Sequence, residues 1–205
     1  MQSRFRRYLP EVDRYRDQVD NFQKQDNVAQ YTDNLIVFTG SSSIKLWSSL
    51  EQDMAPHHVL NRGFGGSTLY EVNHYFHQLV GKYQPNQVFL YCGENDIAEK
   101  VSVEQAFQQF RRFVELCHEN IPKAEIVYLS IKPSPANWSL RRKFGALNKR
   151  IKSYCESHSL NYLDVASVML KENGMPDERL YVEDQHHVNQ AGYERWKEII
   201  RPALK

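Results

Sequence analysis

The sequence predicts an α/β fold, a three-layer α/β/α sandwich with a mostly parallel sheet at its centre, and three observations carry that expectation. Short β-branched or aromatic runs alternate with longer segments of helical period along the chain. Several of those runs are almost wholly apolar, as strands covered on both faces must be. The segments that follow them are polar, glycine-rich or titratable, which suits the carboxyl-end loops where an open parallel sheet binds its ligands.

In chain order, the first element is a helix over about 10–26 carrying Val12, Tyr15, Val19 and Phe22. It precedes every strand, so residues 1–33 are expected to form an accessory helical segment packed on a main domain of 34–205. The run NLIVFT (34–39) is the first strand, and a helix over 43–54 follows. HVLN (58–61) is the second, with a helix over 69–81 behind it. QVFLYC (87–92) leads to a helix over 103–119, where Val103, Phe107, Phe110, Val114 and Cys117 recur at three- and four-residue steps and form one apolar stripe. EIVYLSI (125–131) is the fourth strand, with a helix over 139–158; NYLDV (161–165) is the fifth, and a helix over 189–203 ends the chain. No repeat, low-complexity tract or linker interrupts the series.

Composition narrows the function. The 205 residues suffice for one well-filled core, and 26 Lys+Arg against 25 Asp+Glu create no global field for nucleic acid or an anionic membrane. A small-molecule partner fits better, and nothing in the sequence sets an oligomeric state. The N-terminus lacks the apolar core of a secretory signal, and no stretch approaches the ~20 apolar residues of a spanning helix. Cys92, Cys117 and Cys155 are odd in number and widely spaced, against both a disulfide framework and a structural zinc site. The expectation is a cytoplasmic protein with reduced, mostly buried thiols.

The chemistry-bearing residues lie in the loops. In FTGSSSI (38–44) three serines follow a glycine where the first strand stops. A serine at such a turn can act as a nucleophile beneath the N–H groups of the next helix. Alternatively, Ser41, Ser42 and Ser43 only cap that helix. Asp184-Gln185-His186-His187 offers a base and an orienting acid. A spacing of three lets Asp184 fold back to the His187 ring, with His186 the competing base. Donors for an oxyanion are available in Asn61-Arg62-Gly63-Phe64-Gly65-Gly66, through the Gly66 N–H, and in Gly93-Glu94-Asn95-Asp96, through the Asn95 amide, with the Ser42 N–H a third. His74 and His77 share a helix face, yet no further ligand is spaced to complete a metal site. Read alone, these loops also suit a non-catalytic phosphate- or carbohydrate-binding module; a flavodoxin-like electron carrier would need an aromatic flavin clamp.

Taken together and in order, GSSSIKLW, NRGFGGST, YCGEND and DQHHVNQAGY resemble the SGNH hydrolases, the GDSL-like lipase and acylhydrolase family, from about residue 34 to 200. The nearest likeness is to the bacterial branch of platelet-activating-factor acetylhydrolase-like and lysophospholipase-like esterases. The resemblance implies a flavodoxin-like sheet of five parallel strands, Ser42 as nucleophile, Gly66 and Asn95 in the oxyanion hole, His187 as base and Asp184 as acid. It implies neither a metal nor an organic cofactor. Ser41 stands where the family has Asp, and Ser43 is expected to help start the helix. Ser41, Arg62, Glu94, Trp138 and His186 are further expected around the substrate, a short-chain or water-soluble ester, although Trp138 equally suits plain packing on the next helix.

Overall fold

The computed structural model describes residues 12–26 and 34–205. Strands β1 (Ile36–Gly40), β2 (Val59–Gly63), β3 (Gln87–Tyr91), β4 (Glu125–Leu129) and β5 (Asn161–Leu163) pair in parallel in the order β2-β1-β3-β4-β5. The helices are α1 (Arg16–Asp26), α2 (Ser42–Lys45), α3 (Leu50–Met54), α4 (Leu69–His74), α5 (Phe76–Leu79), α6 (Glu94–Ala98), α7 (Val103–Asn120), α8 (Arg141–Ser157) and α9 (Gln190–Ile200).

Successive strand residues point to opposite faces, and this alternation divides the core. Val37, Val88, Leu90, Ile126 and Tyr128 face one layer with the apolar residues of α1, α4, α5, α7 and α8. Ile36, Phe38, Phe89, Tyr91, Val127 and Leu129 face the other, against α2, α3 and α9, where Trp47 stacks on Tyr193 at 4.8 Å. The resulting α/β/α sandwich has its order reversal at β1 and β3, and open parallel sheets generally bind ligands beyond the strand ends at such a point.

Three helical expectations change. The helix expected over 43–54 is two helices, because buried Trp47 and Ser49 both donate to Asp53, at 2.7 and 2.6 Å, and fold the chain back on itself. The helix over 69–81 breaks at Tyr75, whose ring turns edge-on to Phe64. Conversely, Glu94–Ala98 is helical where the sequence reads as a loop. Gly93, at φ +120°, supplies the left-handed entry.

The N-terminal segment enters as a 3-10 turn, Val12–Tyr15, running into α1, and Tyr15 and Val19 join the first core layer. Residues 1–11 and 27–33 of the expected accessory segment lie outside the described residues. Cys92, Cys117 and Cys155 are buried and unpaired, and burial pushes their thiols upward. Among the described residues, no helix is long and apolar enough to cross a membrane.

Candidate active site

The nucleophile candidate is placed by Gly40. A Cβ there would lie 1.9 Å from the Tyr91 carbonyl oxygen, so only glycine lets β1 end close enough for the Ser41 N–H to donate to that oxygen at 3.0 Å. Ser41 is then the N-cap of α2 and Ser42 its first residue. Ser43, expected to start the helix, lies inside it and is buried, and its carbonyl accepts from the Tyr193 hydroxyl at 3.0 Å.

The acid and base candidates come from a tight loop beyond β5. The Tyr181–Val188 bridge closes it, Val182 N–H donates to the His187 carbonyl at 2.9 Å, and Gln185 takes a left-handed φ of +57°. This folds Asp184 back so that Oδ2 lies 2.6 Å from His187 Nδ1, while Oδ1 accepts the backbone N–H groups of His186 and His187 at 2.8 and 2.9 Å. Its slight burial acts to raise the Asp184 pKa, but these hydrogen bonds outweigh it and hold the carboxyl well below the usual carboxylate range. His187 Nε2 lies 3.1 Å from Ser42 Oγ. Asn189 anchors the loop to α9: its side chain accepts from the Gly192 N–H at 3.1 Å and donates to the carbonyls of Arg179 and Tyr181.

The donor candidates come from the neighbouring strands. Gly66 follows β2 with φ +78°, and neither its N–H nor that of Ser42 has an acceptor among the described residues. Asn95 Nδ2 donates one hydrogen to the Ser67 carbonyl at 2.9 Å, which fixes the amide, and its second N–H has no acceptor among the described residues.

Behind these residues lies a charged cluster. Lys132 Nζ meets Glu94 Oε2 at 2.8 Å, both side chains being withdrawn from solvent, and the Tyr91 hydroxyl donates to the same oxygen at 2.9 Å. His186 Nδ1 lies 3.4 Å from Glu94 Oε1 and 3.3 Å from Asn137 Nδ2. Burial alone would raise the Glu94 pKa; the Lys132 and His186 charges and the hydrogen bonds overturn that and hold it low. Burial also lowers the His186 pKa, helped by the charges of Lys132 and His187. The His186 Nδ1 edge is thus directed at Glu94, Asn137 and Ser134, while His187 takes the Ser42 contact.

Three residues expected at the substrate are placed otherwise. Arg62 is buried in β2, where it donates to the Tyr83 hydroxyl at 2.7 Å and pairs with Asp26, because a cation enclosed in a strand needs an enclosed counter-charge. Ser41 is closed off at the strand end, and Glu94 is engaged by Lys132 beneath the surface. Trp138 is half-buried under the Arg141 guanidinium, 4.7 Å from its ring. Its neighbour Asn137 is the residue that reaches Glu94 and His186. The sequence reading also missed Lys132, whose one signal is a cation directly after an apolar strand.

The fold has counterparts among solved structures. A GDSL-like lipase from Bacteroides thetaiotaomicron superposes with a TM-score of 0.79 at 21% identity, covering 91% of this chain and 96% of that one. A Streptococcus pneumoniae protein described by the words platelet activating factor gives 0.79 at 19%, covering 95% and 94%. An acetylxylan esterase from Geobacillus stearothermophilus gives 0.71 at 14%, covering 85% and 95%. No curated protein sequence matches significantly. At these identities the likeness establishes a shared fold. Residues 12–195, however, match the GDSL-like Lipase/Acylhydrolase family profile, a span holding every residue described above except those of the last helical turns, and the chain belongs to that family.

Proposed function

We propose that the protein is a serine esterase that cleaves carboxylic esters through an acyl-enzyme on Ser42. The observation that carries this is the continuous relay from Asp184 Oδ2 to His187 Nδ1 at 2.6 Å and from His187 Nε2 to Ser42 Oγ at 3.1 Å. In this reading His187 takes the Ser42 proton as Oγ attacks the ester carbonyl carbon, and Asp184 holds the ring in the correct tautomer and stabilises its positive charge. The oxyanion receives hydrogen bonds from the Ser42 and Gly66 N–H groups and the unused Asn95 N–H, in a geometry fixed before the substrate arrives. The imidazolium then protonates the leaving alkoxide. Water, deprotonated by His187, attacks the acyl-enzyme, and collapse releases the acid and restores Ser42.

The groups flanking the relay, His186, Asn137 and Ser134, are polar. They support an ester of a short acyl chain on a polar alcohol, acetylated carbohydrate included, over bulk lipid. The test is covalent labelling with a fluorophosphonate. Mass mapping should place the adduct on Ser42, and Ser42→Ala should abolish both labelling and turnover of p-nitrophenyl acetate. A label elsewhere, or activity retained by the variant, would refute the assignment.

A further inference from the structure

The peptide that carries the Gly66 N–H is bracketed by the N-terminal helical segment. On its far side, the Gly66 carbonyl accepts from the Tyr15 hydroxyl at 2.7 Å. On its near side, the Gly65 N–H donates to Gln18 Oε1 at 3.3 Å. The same Gln18 oxygen accepts from Lys45 Nζ at 2.6 Å, and Lys45 ends α2, the helix that Ser42 begins. Arg14 adds a third tie: its Nε donates to Glu71 at 2.9 Å, and Glu71 in turn accepts from the Thr68 N–H at 2.8 Å at the start of α4.

These contacts reach the loop's backbone at successive points, where a glycine-rich segment has the least stiffness of its own. The Tyr15 ring packs edge-on to Phe64 at 5.3 Å. Burial and the Glu71 charge push the phenol up to about 12, so it remains a donor across the neutral range.

We propose that Tyr15 and Gln18 are positioning residues and that the N-terminal helical segment braces the oxyanion loop, fixing the direction of the Gly66 N–H. The use made of that N–H rests on the esterase reading above. The brace itself does not.

Tyr15→Phe keeps the ring in the core and removes only the hydroxyl. Gln18→Met is the second variant and breaks the other tie. Two readouts are needed: steady-state kinetics on p-nitrophenyl acetate, and amide hydrogen exchange. The expected result for Tyr15→Phe is a fall in kcat of roughly ten-fold, less than the loss of a whole oxyanion donor, with KM within about two-fold. Exchange in the segment 61–68 should quicken while β1 and β3 keep wild-type rates. Wild-type exchange at 61–68 in both variants overturns the proposal, and so does an unchanged kcat in an active enzyme. If the wild-type protein turns over no ester and takes no fluorophosphonate label, the esterase reading fails by itself. Faster exchange confined to 61–68 then still upholds the brace, and its absence still overturns it.

Discussion

Glu94 and Lys132, 38 residues apart in the chain, meet at 2.8 Å with both side chains 3% exposed or less. Such a pair is costly to form and more costly to break from one side, because the remaining charge has no water to turn to. Lys132→Met should therefore lower stability by about 3–5 kcal/mol in urea denaturation, and Glu94→Gln in the same background should recover much of the loss. In the wild type the Glu94 pKa is held low, so its contribution is present above the ordinary glutamate value and is lost as pH falls below it. In Lys132→Met burial is opposed only by His186 and the Tyr91 hydrogen bond, and the sign should reverse. The variant's deficit should be larger at pH 7 than at pH 4, and a deficit independent of pH would contradict the account.

Asp184→Asn keeps the oxygen that accepts the two backbone N–H groups and replaces the one that faces His187 Nδ1. The loop should stay folded while the ring loses its orienting charge. We expect kcat to fall by roughly 10²–10⁴ with KM changed little, measured by steady-state kinetics. Because Asp184 stays ionised far below the usual carboxylate range, it should not set the acid limb of the wild-type profile.

Asp96 behaves oppositely. Burial pushes its carboxyl up to about 7, against the pull of the Leu69 N–H that donates to it at 3.1 Å. A group protonated more readily in the folded state than in the unfolded one stabilises at low pH. That contribution should decline by at most about 1.4 kcal/mol per pH unit between roughly pH 4 and 7 and then level off. Urea titrations across this range should show the decline in the wild type and a flatter dependence in Asp96→Asn.

Two glycine substitutions should diverge. Gly40→Ala would press a Cβ into the Tyr91 carbonyl at φ +127°, and a loss of at least about 3 kcal/mol or failure to fold is expected. Gly145→Ala, within α8 and with nothing in reach of its Cβ, should raise stability by roughly 0.5–1 kcal/mol. Thermal melts of the two variants check both.

Local patterning made the strands legible, because apolar runs of this length answer only to the two layers that cover them. The β1 run reads 34–39 in sequence and forms a strand over Ile36–Gly40, a difference at the ends only. The helix breaks at Trp47 and Tyr75 were not legible, since each depends on a partner in the core rather than on its neighbours in sequence. The same holds at the site. The loop motifs could be read because their serine, glycine, asparagine and histidine are unusual where they stand. Lys132 and Tyr15 are unremarkable in sequence; their partners, Glu94 and the Gly66 carbonyl, lie 38 and 51 residues away. Arg62 was misplaced for the converse reason. A cation beside glycines looks like a ligand contact until Asp26 and Tyr83 are seen to enclose it.

Asp184 holds both the ring and the backbone of His187, so the acid and the base form one unit on a loop outside the sheet that carries Ser42. That unit is joined internally by two short contacts, at 2.6 and 2.9 Å, and reaches the nucleophile through one, at 3.1 Å, so the alignment of Nε2 with Oγ depends on where the whole loop is set.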